Sequence, residues 1–148
     1  MENQIQVIAR AVIVDDGHIL LTQCTNRSGT YTYLPGGHVE LGETSKIALA
    51  RELHEELGVA EAAISQLLAT HESFWHDKNN VLQHEINLLF KTTVPGFSRH
   101  TTPTSQEAHI AFAWVALDQL TEANLLPMAM RSHLKSLVSK AADDLVTD

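Results

Sequence analysis

Apolar residues recur along this chain in short β-rich runs broken by turn residues, with two stretches at helical spacing. Ile5 to Val14 (IQVIARAVIV) is mostly β-branched or aliphatic and predicts a strand. Asp15-Asp16-Gly17 is a turn signal, and His18 to Cys24 (HILLTQC) predicts the returning arm of a hairpin. Asn26 to Gly29 reads as a loop, Tyr31 to Leu34 as a short strand, and Pro35-Gly36-Gly37 as its end. Further strands are expected within Ala63–Phe74, Leu82–Thr93 and Ile110–Ala116, the first two joined by a polar loop from His76 to Asn80. Pro95 to His109 holds two prolines and several hydroxyl residues, and predicts a loop of a length that usually carries function.

The strongest helical pattern runs from Thr44 to Leu57. Thr44 and Ser45 can cap its N-terminus, and Gly58 stands where a terminating glycine belongs. A second helix is expected from Met128 to Lys140, with Met130, Leu134 and Leu137 as its apolar stripe, and the tail from Ala141 is expected to fray. No repeat, low-complexity tract or linker interrupts this order. The pattern predicts one α+β domain over residues 1–148, with a mixed sheet and two principal helices.

Composition narrows the function classes. The chain has 148 residues, 44% apolar and 19% charged, as soluble globular domains do. Its net charge of −8 argues against binding long nucleic acid or an anionic membrane through a basic field. A small anionic substrate stays open, because bound divalent cations would reverse the local sign. The single cysteine, Cys24, excludes an internal disulfide and a multi-cysteine zinc site, and reads as a buried small hydrophobe. MENQIQVIARAVIV lacks the pattern of an export signal, and no apolar run is long enough to span a bilayer, so a cytoplasmic location is expected.

The first helix carries the candidate chemistry. At about 100° per residue, Glu52, Glu55 and Glu56 share an arc of roughly 100°, with Ala50, Leu53 and Leu57 on the neighbouring flank. Like charges at this spacing repel, and a hard divalent cation removes that cost. Arg51, four residues before Glu55, can pair with a carboxylate and hold its orientation. Three glutamates in five helical residues are usually only a solvated face, so the surroundings of the run decide.

From Gly37, the chain reads Gly37, five residues, Glu43, seven residues, then Arg51-Glu52-Leu53-His54-Glu55-Glu56-Leu57-Gly58-Val59. Every fixed position of G-x5-E-x7-R-E-U-x-E-E-x-G-U, with U aliphatic, is present over residues 37–59. The chain therefore resembles the Nudix hydrolases, the MutT-like pyrophosphohydrolases. That resemblance implies an α/β/α sandwich with a mixed central β-sheet and hydrolysis of a phosphoanhydride in a small nucleoside diphosphate derivative. It also implies Mg²⁺, with Mn²⁺ as a substitute. Glu52, Glu55 and Glu56 match the family's metal-binding carboxylates, and Gly37 matches the glycine whose carbonyl completes a metal shell. Glu43 and Arg51 match positions that brace loop and helix, Arg51 being counted with the catalytic group. Glu52 or Glu55 is the implied general base. Dimers are frequent in the family, so a homodimer is among the implied partners.

Other candidates lie outside the motif. Glu107 in SQEAHIAF suits a base or an extra metal ligand, and Glu85 in LQHEINLLF is a further acidic candidate. Phe74 and Trp75 suit stacking on a base, and Arg27 and Arg99 suit a substrate phosphate. His38 and His54 read as solvent-facing and Trp114 as packing. LLTQC fails the LLTxR pattern of coenzyme A hydrolases, and SQPWPFP of the NADH group is absent. Phe74, Trp75 and His76 stand where ADP-ribose or dinucleoside polyphosphate groups carry proline or tyrosine. A nucleoside triphosphate or related small nucleotide is the expected substrate. The alternatives are a non-catalytic nucleotide sensor and a pyrophosphohydrolase of RNA 5′ ends.

Overall fold

The computed structural model describes residues 4–147, with side chains through residue 139. Strands β1 (Gln6–Val12), β2 (Val14–Asp15), β3 (His18–Asn26), β4 (Gly29–Tyr33) and β5 (Gly36–His38) precede helix α1 (Ser45–Leu57). Strands β6 (Ala63–His76), β7 (Leu82–Thr93) and β8 (Ala111–Ala116) follow, then helix α2 (Met130–Thr147).

The strands form two four-stranded sheets. Sheet A has the order β5-β1-β7-β6 and is mixed, because β1 runs parallel to β7 and antiparallel to β5. Sheet B places β3 between β4 and β8, with β2 on β3 as well. The apolar run expected as one strand from Ile5 to Val14 is split at Ile13, where the chain passes from sheet A to sheet B. The bond from the Leu20 N–H to the Ile13 carbonyl (3.0 Å) bridges that corner. The expected loop Asn26–Gly29 is shorter than predicted: its end residues belong to β3 and β4, leaving Arg27-Ser28 as the hairpin turn.

Strand alternation divides the core. Ala9, Ala11 and Ile13 face α1 and pack with Leu49, Leu53, Leu57, Phe90 and Phe112. Val12, Leu34 and Leu89 face the other way, against Leu120, Leu125 and the α2 residues Met130 and Leu134. The two alanines on the α1 side let that helix approach the sheet closely. Helix α1 is capped as expected: the Thr44 hydroxyl accepts the Ile47 N–H (3.2 Å), and Gly58 ends it in a left-handed turn at φ 69°. Helix α2 begins at Met130 rather than Met128 and stays helical to Thr147, so its backbone does not end at Lys140. Ala141-Ala142 are strong helix formers at that point.

Leu53 is fully buried at the contact of α1 with sheet A, while the next residue, His54, is exposed. Leu53→Ala is expected to lower unfolding free energy by about 2–5 kcal/mol. His54→Ala is expected to change it by less than about 0.5 kcal/mol, both read by urea denaturation.

Candidate active site

Helix α1 turns a different face to the core than the helical wheel predicts. Ala50 is exposed, and the buried residues are Ala48, Leu49, Leu53, Glu56 and Leu57. Glu56 thus lies inside the buried arc, beside the leucines. Glu52 is mostly covered, its side chain 17% exposed, and Glu55 is half-exposed at 49%. The three carboxylates are graded in burial along one face.

Arg51 organises this face. Its Nη2 donates to Glu43 Oε1 (2.7 Å) and to the His38 carbonyl (3.0 Å), and its Nε donates to Glu43 Oε2 (3.2 Å). Nη1 donates to Glu52 Oε1 at 3.0 Å and Glu55 Oε1 at 3.5 Å. Glu43 also accepts the Glu40 N–H at 2.9 Å. The forked pair with Arg51 and that N–H hold the Glu43 carboxyl below the ordinary carboxylate range, and the same pair raises the arginine. Residues 38–43 are thereby tied to the helix, and Glu52 is aimed at β5.

Gly37 receives it. A Cβ on Gly37 would fall on the Glu52 carboxyl, with both oxygens within 2.7 Å, so only glycine leaves that carboxylate where it is. At Gly36, φ is 138° and a Cβ would collide with the Ala9 carbonyl, a requirement that the motif spacing alone does not reveal.

Glu56 is the anomaly. It is 7% exposed, and its Oε2 is buried with no hydrogen-bond partner among the described residues. Burial, then the charges of Glu52 and Glu107, push its carboxyl up to about 8. The loop carrying Glu107 is fixed close by, since the Gln106 N–H donates to the Glu56 carbonyl at 2.7 Å. Ser105 braces the loop in turn, accepting the Glu107 N–H (3.0 Å) and donating to the Glu107 carbonyl (2.8 Å).

These residues fit a divalent cation. The donors are hard carboxylate oxygens, one of them buried and unpartnered, and the Gly37 backbone has no side chain to block approach. Among the described residues, no three His, Cys, Asp or Glu side chains are gathered closely enough to hold a metal ion by themselves. Mg²⁺ does not need such a set, because it keeps waters and takes substrate phosphate oxygens.

The remaining candidates are scattered. Glu85 lies on sheet A beside Gln6, on the face opposite α1. Phe74 is 62% exposed and stacks on His84, ring centroids 4.2 Å apart, on the α1 face. Trp75, 47% exposed, points to the other face of β6, so the two rings do not form one stacking surface. Arg27 is exposed at the β3–β4 turn, without a hydrogen bond or ion pair among the described residues. Arg99 is engaged: its N–H bonds Asp15 (2.8 Å) and its Nε bonds Asp16 (2.9 Å), strapping the long loop to the β2–β3 hairpin. Cys24 is half-buried rather than buried, and its Sγ donates to the Tyr33 hydroxyl at 3.3 Å. His38 Nε2 bonds Gln6 Oε1 (2.6 Å), and Trp114 packs on the core with its Nε1 on the Thr101 carbonyl (3.1 Å).

One residue escaped the sequence reading. Arg10, inside the apolar run of β1, sits 5.3 Å from the Tyr33 ring centroid and donates to Asn87 Oδ1 (3.1 Å) and the Leu34 carbonyl (3.0 Å). A charged residue at the parity of Ile8 and Val12 was the available signal.

The raised Glu56 carboxyl has a thermal consequence. Between its ordinary value of 4.5 and about 8, the folded chain holds a proton that the unfolded chain has lost. Stability contributed by that proton is therefore lost as pH rises through about 8. In chelator, the unfolding midpoint of the wild type should fall between about pH 5 and pH 9, and Glu56→Gln should flatten that slope. A wild-type slope matching that of Glu56→Gln would refute the assignment.

Comparison with known proteins agrees with this architecture. The NUDIX domain family model matches residues 4–137. A CTP pyrophosphohydrolase of Escherichia coli K12 is 34% identical over 126 residues, covering 83% of this chain and 84% of the relative. The solution structure of the E. coli ORF135 protein superposes with a TM-score of 0.66 at 27% identity, covering 93% of each chain. The crystal structure of a MutT NUDIX hydrolase from Burkholderia pseudomallei gives 0.57 at 30% identity, covering 78% of this chain and 86% of that one. With the motif complete over residues 37–59 and the fold in place around it, this chain belongs to the NUDIX family.

Proposed function

We propose that this protein is a Mg²⁺-dependent pyrophosphohydrolase that cleaves a phosphoanhydride of a nucleoside triphosphate or related small nucleotide. The observation that carries the reading is the buried Glu56 oxygen, without a hydrogen-bond partner among the described residues, beside Glu52 and Glu107, a crowding of carboxyl groups that a bound cation would relieve. The name of the E. coli relative supports a triphosphate substrate.

Glu52, Glu55 and Glu56 would hold the metal with the Gly37 carbonyl, and Glu107 would add a further oxygen. The bound ion supplies charge neutralisation to the diphosphate and lowers the pKa of water in its shell. The protein's own work is positioning. Arg51 fixes Glu52, Glu43 fixes Arg51, and loop 95–109 brings Glu107 to the helix end. Water attacks one phosphorus, the P–O bond to the bridging oxygen breaks, and the leaving phosphate departs with the electron pair. A glutamate takes the water proton. Of the two candidates, Glu55 is the freer, being half-exposed and more distant from Arg51 than Glu52 is.

The test is release of phosphate or pyrophosphate from nucleoside triphosphates, ADP-ribose, nucleotide sugars and dinucleoside polyphosphates in Mg²⁺. Wild-type turnover is expected, with Glu56→Gln reduced about a hundredfold or more while remaining folded. Full activity of Glu56→Gln would defeat the metal assignment. Ligand-dependent thermal stabilisation with no consumption of any nucleotide would favour a sensor.

A further inference from the structure

We propose that Arg10 and Glu85 read the base of the nucleotide, and that they select guanine and cytosine over adenine and uracil. This inference rests on the hydrolase reading for the placing of the phosphates and deepens it to a substrate class.

The two side chains share the face of sheet A turned away from α1, with Asn87 on the same face between them. In register, Gln6 opposes Glu85, Ile8 opposes Asn87 and Arg10 opposes Leu89. Both are half-buried. Among the described residues, Arg10 has no carboxylate within 4.0 Å, and Glu85 takes part in no hydrogen bond or ion pair. Burial pulls the Arg10 guanidinium below its ordinary value, and Glu85 is the strongest of the charges opposing that shift. A cation and an anion thus share one sheet face without being paired to each other, and each keeps capacity for a ligand.

Arg10 is held open rather than collapsed. Its Nε is spent on Asn87 and one Nη1 hydrogen on the Leu34 carbonyl, while Tyr33 lies against the guanidinium plane. Among the described residues Nη2 makes no hydrogen bond, so it keeps both donors. Asn87 is itself fully buried, which fixes the fork. One strand over, His71 opposes Asn87 and Ser73 opposes Glu85, and His71 Nδ1 and Ser73 Oγ are buried polar atoms without partners among the described residues. The floor therefore carries polar side chains from three strands, with the unpartnered buried atoms on β6.

It also adjoins the carboxylates. Arg10 pairs across β1–β5 with Gly36, and the next residue, Gly37, backs the Glu52 carboxyl. Since β5 is the edge strand, a nucleotide with its phosphates at Glu52 and Glu56 would round that edge to reach Arg10 on the other face.

The row this floor presents is donor, donor, acceptor: two N–H groups of the arginine fork, then a carboxylate. Its complement is acceptor, acceptor, donor. Guanine offers that order as N7, O6 and N1–H, and cytosine offers it as O2, N3 and the N4 amino group. Adenine and uracil alternate acceptor and donor, so each would place an N–H against the guanidinium.

Dissociation constants of GMP, CMP, AMP and UMP in Mg²⁺, measured by calorimetry, test the inference without requiring turnover. GMP and CMP are expected to bind about tenfold tighter than AMP and UMP. Arg10→Lys, which keeps the charge and loses the fork, should bring the four within about twofold by weakening GMP and CMP far more than AMP and UMP. A merely structural role would weaken all four together. Should that variant unfold, 7-deaza-GMP makes the same test on the wild type, with the loss of N7 costing about tenfold. Equal binding of all four, tighter binding of AMP or UMP, or no binding overturns the inference. Base preference in binding with no pyrophosphate release would sink the hydrolase reading instead.

Discussion

A carboxylate that is buried without a partner is the constraint around which this structure is arranged. Glu56 stands among the leucines of α1, within the influence of Glu52 and Glu107, and one of its oxygens meets nothing that can donate to it. Neutral, it costs a proton; ionised, it costs the full burial of a charge beside two others. A bound hard cation would relieve either state, and the surrounding elements hold the carboxylates together on one face. The alanines of β1 let α1 approach, the capped ends of α1 fix its rotation, and Gly37 leaves room for Glu52.

Rigidity at the site comes from side-chain ties, short-range around Arg51 and long-range along the loop. Arg51 spends its fork on Glu43 and the His38 carbonyl and still reaches Glu52 and Glu55, so loop and helix move as one body. The long loop is anchored at several points: Arg99 on Asp15 and Asp16, Thr101 under the Trp114 indole, and Gln106 on the end of α1. A segment of this length would ordinarily be mobile, and these ties hold Glu107 where its charge is felt by Glu56.

What was legible in the sequence was what is encoded locally. Thr44 and Gly58 bound α1, the glutamate spacing marks its chemical face, and the glycine–glutamate–arginine spacing gives the family. What was not legible depends on neighbours that sequence order does not supply. The wheel placed Ala50 in the core, but the sheet takes the arc centred between Leu49 and Leu53, which draws Glu56 inward. Phe74 and Trp75 look like one aromatic pair in sequence, yet strand alternation sends them to opposite faces. Arg10 was lost in a run that reads as a plain apolar strand. Its meaning depends on Asn87, Tyr33 and Leu34, which two other segments bring to it.

The most direct test of the account is whether cation binding expels a proton from Glu56. Calorimetric titration of Mn²⁺ into the chelator-free protein at about pH 7, in two buffers of different ionisation enthalpy, measures protons released per ion bound. With the Glu56 carboxyl at about 8 before binding, close to one proton should be released per ion, and none from Glu56→Gln. Binding with no proton release by the wild type would contradict the claim that this buried carboxyl waits for the metal.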